Sequence, residues 1–120
     1  MTGRKRWAKQ QEYSRAYKAR LMSTPEGRAE LALRRRLHRY KMTRDEYAAL
    51  TAAAENRCMI CGNEETAVDG KGNVKTLSVD HCHETGRIRG LLCNTCNRAI
   101  GLLRDSPTLL REAAKYLEGS

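Results

Sequence analysis

Aromatic residues are scarce in this sequence, which has no phenylalanine and a single tryptophan among its 120 residues. Charged residues make up 31% of the chain, so a hydrophobic core alone would be thin and an additional cross-link is expected. No segment approaches the roughly 18 consecutive apolar residues of a membrane span. No apolar run follows the basic N-terminal residues, as a signal peptide would require. We therefore expect an intracellular protein that does not cross a membrane.

Acidic residues are few in the first half of the chain. Residues 1–57 contain 15 Lys and Arg against 6 Asp and Glu, a net charge of +9, whereas residues 58–120 contain 8 of each and are neutral. A charge this unevenly distributed favours a polyanionic partner, either a nucleic acid or an anionic membrane surface. A solvated helical surface would also account for it, but we favour nucleic acid.

The spacing of apolar residues predicts helices over residues 4–22 and 25–40, with Thr24 as the cap of the second. Residues 1–42 are thus predicted to form a basic helical N-terminal arm. The sequence Thr43-Arg-Asp-Glu46 has the pattern of a capping box and predicts a third helix, to about residue 56.

The remainder of the chain, residues 43–120, is predicted to form one further domain. It is expected to contain a loop over residues 63–75, a β-hairpin with strands at 76–83 and 87–92, and helices at about 94–103 and 107–118. The predicted fold class is therefore α+β and mostly helical, with a β-hairpin followed by a helix.

Five cysteines are present, and four of them form two Cys-x2-Cys pairs, Cys58 with Cys61 and Cys93 with Cys96. Four thiolates at this spacing suit a closed, tetrahedral structural zinc site, which would supply the missing cross-link. Buried or redox-active thiols are the alternative. The fifth cysteine, Cys82, is interpreted as a small packing residue.

Two histidines, His81 and His83, follow Asp80 within the segment that the cysteine pairs enclose, and Asn97 lies just beyond the last pair. Carboxylate and amide oxygens are ligands for a hard cation such as Mg²⁺, and a neutral histidine nearby can accept a proton from water near pH 7. Adjacent strand residues point to opposite faces. If Asp80 and His81 serve one site, the strand must end, twist or bulge there.

The segments Cys58-Met-Ile-Cys61-Gly, Val79-Asp80-His81-Cys-His83-Glu-Thr-Gly and Arg89-Gly-Leu-Leu-Cys93-Asn-Thr-Cys96-Asn97 resemble the recombination endonuclease VII family of phages, which belongs to the His-Me finger (HNH-like) nucleases. The resemblance implies a ββα-metal fold and zinc on the four paired cysteines. It implies a catalytic Mg²⁺ or Mn²⁺ on Asp80 and Asn97, with His81 as general base and His83 near the scissile phosphate. It also suggests a phage-encoded protein.

We therefore expect a metal-dependent DNA endonuclease that nicks duplexes or resolves junctions, either as a monomer or as a homodimer. Phosphate contacts are expected from six arginines: Arg34, Arg35, Arg36, Arg87, Arg89 and Arg98. The main alternative is a zinc-containing module that binds DNA without cutting it, because zinc and a basic arm fit both functions. A basic scaffold at a membrane surface is a weaker alternative.

Overall fold

The computed structural model describes residues 3–119, which form helices, one small sheet and connecting loops. Residues up to Thr43 make one compact unit and residues from Arg44 make a second. In chain order the elements are α1 (Gly3–Met22), α2 (Pro25–Tyr40), α3 (Arg44–Ala54), β1 (Ser78–His81), β2 (Ile88–Leu92), α4 (Asn94–Leu102) and α5 (Pro107–Glu118).

The first unit is an α-helical hairpin of α1 and α2. Thr24 caps α2, because its side-chain oxygen accepts a hydrogen bond from the backbone N–H of Gly27 at 3.0 Å, and Pro25 occupies the first helical position, where no N–H is needed. None of the α1 side chains is buried. The two helices of this unit therefore bury almost no apolar side chains. Their backbones approach closely near the loop that joins them.

Gly27 is the buried residue of α2 and lies at that connection. A Cβ atom at this position would lie 2.0 Å from the carbonyl oxygen of Leu21 and 2.6 Å from its carbonyl carbon. Backbone atoms cannot rotate away as a side chain could. The close approach of α1 and α2 thus depends on the absence of a side chain at residue 27.

The second unit contains an antiparallel hairpin of β1 and β2, with α3 against β2 and α4 against both strands. Val79 pairs with Leu91 and Asp80 pairs with Gly90, but the next pair is His81 with Ile88. Arg89 therefore has no partner opposite it and is the extra residue of a β-bulge. This irregularity lies between Asp80 and His81, where the strand must end, twist or bulge if both residues serve one site.

The core of the second unit is small and lies beside the paired cysteines. Its buried apolar residues, among residues 3–119, are Ala54, Cys58, Leu77, Val79, Leu91, Leu92 and Cys93. Leu91 is 1% exposed, and its carbonyl oxygen accepts a hydrogen bond from Met59 at 3.0 Å. The turn that holds the first cysteine pair is thereby attached directly to β2.

The predicted fold class is confirmed: the described residues form a mostly helical chain with a two-stranded antiparallel sheet and four clustered cysteines. The first strand is shorter than predicted, at Ser78–His81. The loop over residues 63–75 contains a bridge between Val68 and Val74. No helix within residues 3–119 is both long enough and apolar enough to cross a membrane.

Replacing Gly27 by alanine should separate α1 from α2. The added methyl group would overlap the Leu21 carbonyl, and overpacking of this kind costs about 1–3 kcal/mol. We expect faster amide hydrogen exchange throughout α1 and α2 in Gly27→Ala. The control is Gly101→Ala in α4, where a Cβ atom meets nothing within 4 Å. Unchanged exchange in Gly27→Ala would show that the close approach is not required.

Candidate metal centre and its surroundings

The two cysteine pairs meet in one cluster. The Sγ atoms of Cys58, Cys61, Cys93 and Cys96 all lie within 4.8 Å of one another. Cys61 Sγ and Cys93 Sγ are 3.8 Å apart, and four sulfurs bound tetrahedrally to zinc at about 2.3 Å would have about this separation. The cluster can therefore hold a zinc ion with all four positions filled by protein, as a structural site requires.

The ionisation behaviour of these four sulfurs also favours a bound cation. Burial opposes ionisation of Cys58, but backbone N–H groups directed at its sulfur, including that of Ile60 at 3.4 Å, lower the pKa of Cys58 to about 6. Burial and the other three sulfurs raise the pKa of Cys96 to about 12. Burial and the closeness of the sulfurs to one another are thus in conflict with ionisation of all four thiols. A bound dication would remove that conflict.

Glu65 supports the second cysteine pair from the preceding loop. One carboxylate oxygen accepts a hydrogen bond from the N–H of Asn94, the first residue of α4, at 2.8 Å. The other accepts from the N–H groups of Thr66 and Ala67 at 3.1 and 3.0 Å. A carboxylate at a helix N-terminus satisfies a free N–H and complements the helix dipole. Glu65 therefore ties the loop to the start of α4.

Asp80 lies on β1 and is 9% exposed. Both of its carboxylate oxygens accept hydrogen bonds from Arg89: Oδ2 from Nε at 2.8 Å, and Oδ1 from Nη2 at 2.9 Å. This is a bidentate, charge-assisted pair, and it raises the pKa of the Arg89 guanidinium. Asp80 has the right chemistry for a hard cation, but its oxygens are engaged by a cation from the protein itself.

His81 ends β1 and His83 lies in the following turn, yet their ring centroids are only 4.8 Å apart in an edge-on contact. His83 is well exposed, and its Nε2 lies 3.9 Å from Oδ2 of Asp105. The same Asp105 oxygen accepts a hydrogen bond from Arg89 Nη2 at 3.3 Å. Contacts thus run from Asp80 through Arg89, Asp105 and His83 to His81.

Three of these side chains, those of His83, Arg89 and Asp105, line an open depression of about 410 Å³ on the second unit, together with Arg104. Asp80 reaches its edge through Arg89, and His81 through His83. Two neighbouring strand residues, whose side chains would diverge in a regular strand, are thereby connected to one small surface.

The remaining predicted site residues are distributed over both units. Asn97 lies half-buried in the first turn of α4, which packs against β1, and its N–H donates to the carbonyl oxygen of Cys93 at 3.0 Å. Arg87 and Arg98 are exposed. Asn97 is therefore fixed to the cysteine cluster by its backbone.

The three consecutive arginines of the arm differ in their surroundings. Arg34 donates to Glu30 at 3.0 Å and to the hydroxyl of Tyr17 at 3.0 Å, with its guanidinium over the Tyr17 ring. Arg35 is exposed and Arg36 is half-buried. Of the three, Arg35 presents its side chain most openly to a partner.

Two acidic residues of this region, Glu65 and Asp105, are not among the site residues predicted from the sequence. Asp105 precedes the Ser106-Pro107 helix start and has the character of an ordinary loop residue. Its backbone φ of 52° and that of Arg104 at 60° are positive, which is unusual for residues other than glycine. No local sequence signal identifies either acid, because each acts on a residue at least 16 positions away.

Comparison with known proteins identifies the family. A profile of the family described as recombination endonuclease VII matches residues 33–119. This chain belongs to the endonuclease VII family. The match includes both cysteine pairs, the Asp80-His81 segment and Asn97, so the resemblance predicted from those motifs is confirmed.

Curated relatives occur in mycobacteriophages. The Gene 59 protein of Mycobacterium phage D29 is 43% identical over 79 residues, and that of Mycobacterium phage L5 is 40% identical over the same length. Each match covers 65% of this chain and 44% of the relative, so the chain spans less than half the length of these curated relatives. No solved structure gives a significant match.

Loss of one cluster cysteine should release the metal and unfold the second unit. We expect zinc-loaded wild-type protein to contain one zinc ion per chain and Cys96→Ser to contain none, with a retained far-UV helical signal from α1 and α2. Cys82→Ser is the matched control and should keep its zinc. Because the ligands must be thiolates, zinc affinity should fall as the pH is lowered. Full zinc occupancy in Cys96→Ser would contradict this assignment.

Proposed function

We propose that this chain is a metal-dependent endonuclease that hydrolyses DNA phosphodiester bonds. The observation that supports it most is the set of contacts that connects Asp80 and His81 to one depression of the second unit. A module that only binds DNA does not require a buried aspartate and two histidines in ring contact around one depression. Membership of the endonuclease VII family supports the same reaction.

In this proposal the cysteine cluster is structural and holds β1 and α4 at a constant separation. Cys93 caps α4 through its sulfur, which accepts from the N–H of Cys96 at 3.4 Å. Asn97 follows one residue later on the same helix. Bound zinc would thus position Asn97 relative to Asp80 without taking part in the reaction.

Asp80 and Asn97 would hold the catalytic divalent ion, for which their oxygen donors are suited. When bound, Mg²⁺ or Mn²⁺ would neutralise charge that develops on the phosphate during cleavage. His81 would act as general base and remove a proton from the attacking water. His83, exposed and in contact with the His81 ring, would face the phosphate.

The positive arm would hold the DNA backbone without reading its sequence. Arg35 and Arg39 are exposed on α2, and Arg34 is oriented by Tyr17 and Glu30. Arg87 and Arg98, which are exposed on the second unit, would contact further phosphates.

A zinc-containing module that binds DNA without cutting it is the second candidate. The observation that favours it is the Arg89 guanidinium, which occupies both oxygens of the proposed metal ligand Asp80. The two candidates differ in whether cleavage accompanies binding.

Zinc-loaded protein should nick supercoiled plasmid when Mg²⁺ or Mn²⁺ is added. Removing the base in His81→Ala should lower the rate by about 10²- to 10⁴-fold while zinc content and DNA affinity stay unchanged. His38→Ala, a histidine of the arm, is the control and should cut normally. No cleavage by wild-type protein of plasmid or of a four-way junction, with DNA binding intact, would favour the binding module.

The dependence of DNA affinity on salt concentration should measure how many phosphates the arm contacts. Neutralising Arg35 and Arg39 together, as a double glutamine variant, removes two phosphate contacts. The slope of log Kobs against log salt should therefore become shallower by about 1.8. Neutralising Arg111 and Lys115 on α5 removes the same charge outside the arm and should leave the slope nearly unchanged. Equal effects of the two double variants would contradict a specific role for the arm.

A further inference from the structure

The β-bulge in the hairpin determines where the side chain of Arg89 lies. Asp80 pairs with Gly90 and His81 with Ile88, so Arg89 is the additional residue between them. A bulge redirects a side chain and increases the local twist. Here the redirected guanidinium meets the carboxylate of Asp80 across the hairpin, at 2.8 and 2.9 Å.

In that pair, both carboxylate oxygens of Asp80 already accept hydrogen bonds from Arg89. One guanidinium edge covers both carboxylate oxygens, and the aspartate side chain is 11% exposed. A divalent ion needs at least one of these oxygens at bonding distance. A second positive charge beside it would also be repelled by the ion. The ion and Arg89 therefore have conflicting requirements at the same carboxylate.

Asp105 offers the guanidinium a second carboxylate. Nη2 of Arg89 is bonded to Oδ1 of Asp80 and, at 3.3 Å, to Oδ2 of Asp105. The N–H of Asp105 donates to the carbonyl oxygen of Ile100 at 2.8 Å, which anchors this acid to the end of α4. Arg89 could leave Asp80 and still keep a carboxylate partner at the rim of the depression.

We propose that Arg89 and the catalytic divalent ion exchange at Asp80, and that Asp105 retains Arg89 once the ion has replaced it. This inference rests on the proposed function of Asp80 as a metal ligand. In the free protein Arg89 keeps the metal affinity low. A DNA phosphate in the depression would draw the guanidinium away from Asp80, so that DNA and the ion strengthen each other's binding, as linkage requires.

The test is a titration of zinc-loaded protein with Mn²⁺ in the absence of DNA, with free Mn²⁺ measured by electron paramagnetic resonance. Asp80→Asn defines the binding that belongs to this site. The decisive variant is Arg89→Lys, which keeps the positive charge but loses the planar fork that covers both oxygens. Arg87→Lys makes the same change at an exposed arginine of the hairpin.

We expect Arg89→Lys to bind Mn²⁺ roughly three- to tenfold more tightly than wild type, because charge-assisted bidentate bonding is lost at Asp80. Asp105→Asn should bind it more weakly, because Arg89 then has only Asp80. Arg87→Lys should match wild type. If Arg89 and Asp105 belonged only to a structural ion-pair network, Arg89→Lys and Asp105→Asn would both lower the stability of the fold. Their Mn²⁺ affinities would then not change in opposite directions.

Unchanged or weaker Mn²⁺ binding in a folded, zinc-loaded Arg89→Lys protein would overturn the exchange while leaving Asp80 as a ligand. A different result separates the two proposals: if Asp80→Asn binds Mn²⁺ as wild type does, Asp80 is not a metal ligand. The proposed function of Asp80 and the exchange would then both be wrong. One-dimensional NMR and zinc content establish that each variant is folded.

Discussion

The four-cysteine cluster is the constraint on which the second unit depends. Only a few apolar side chains are buried there, and two of them, Cys58 and Cys93, belong to the cluster. The turn of the first pair is bonded to β2 through Met59, and the second pair begins α4. With zinc bound, loop, hairpin and helix would be joined at one point, so the metal supplies what an aromatic-poor core cannot.

The residues of the candidate site lie on the hairpin and the helix that the cluster would join. Asp80 and His81 lie on the strand next to the cluster, and Asn97 lies one residue beyond its last cysteine. The bulge at Arg89 lies opposite the step between Asp80 and His81, the two neighbouring strand residues that are proposed to serve one site. It also brings the Arg89 guanidinium onto the carboxylate of Asp80, the proposed metal ligand. In the proposed function, the arm would supply the positive charge that holds DNA and the second unit would supply the catalytic groups.

Local patterns in the sequence predicted most of the elements and the cysteine cluster. Thr24-Pro25 and Ser106-Pro107 begin α2 and α5 as expected, because capping depends on residues three positions apart. An end, twist or bulge of the strand near Asp80, which is needed if Asp80 and His81 serve one site, followed from side-chain alternation. The contacts of Arg89 did not, because they require its bulged position and an acid 16 residues away. Arg89 was interpreted only as a phosphate contact for the same reason.

The most direct test of the account is a crystal structure of the zinc-loaded protein with saturating Mn²⁺, with the metals located by anomalous scattering at two wavelengths. The account predicts zinc within the four sulfurs and manganese at bonding distance from the Asp80 carboxylate and the Asn97 side-chain oxygen, with Arg89 on Asp105. Arg89 still bonded to both oxygens of Asp80, with no manganese between β1 and α4, would contradict it.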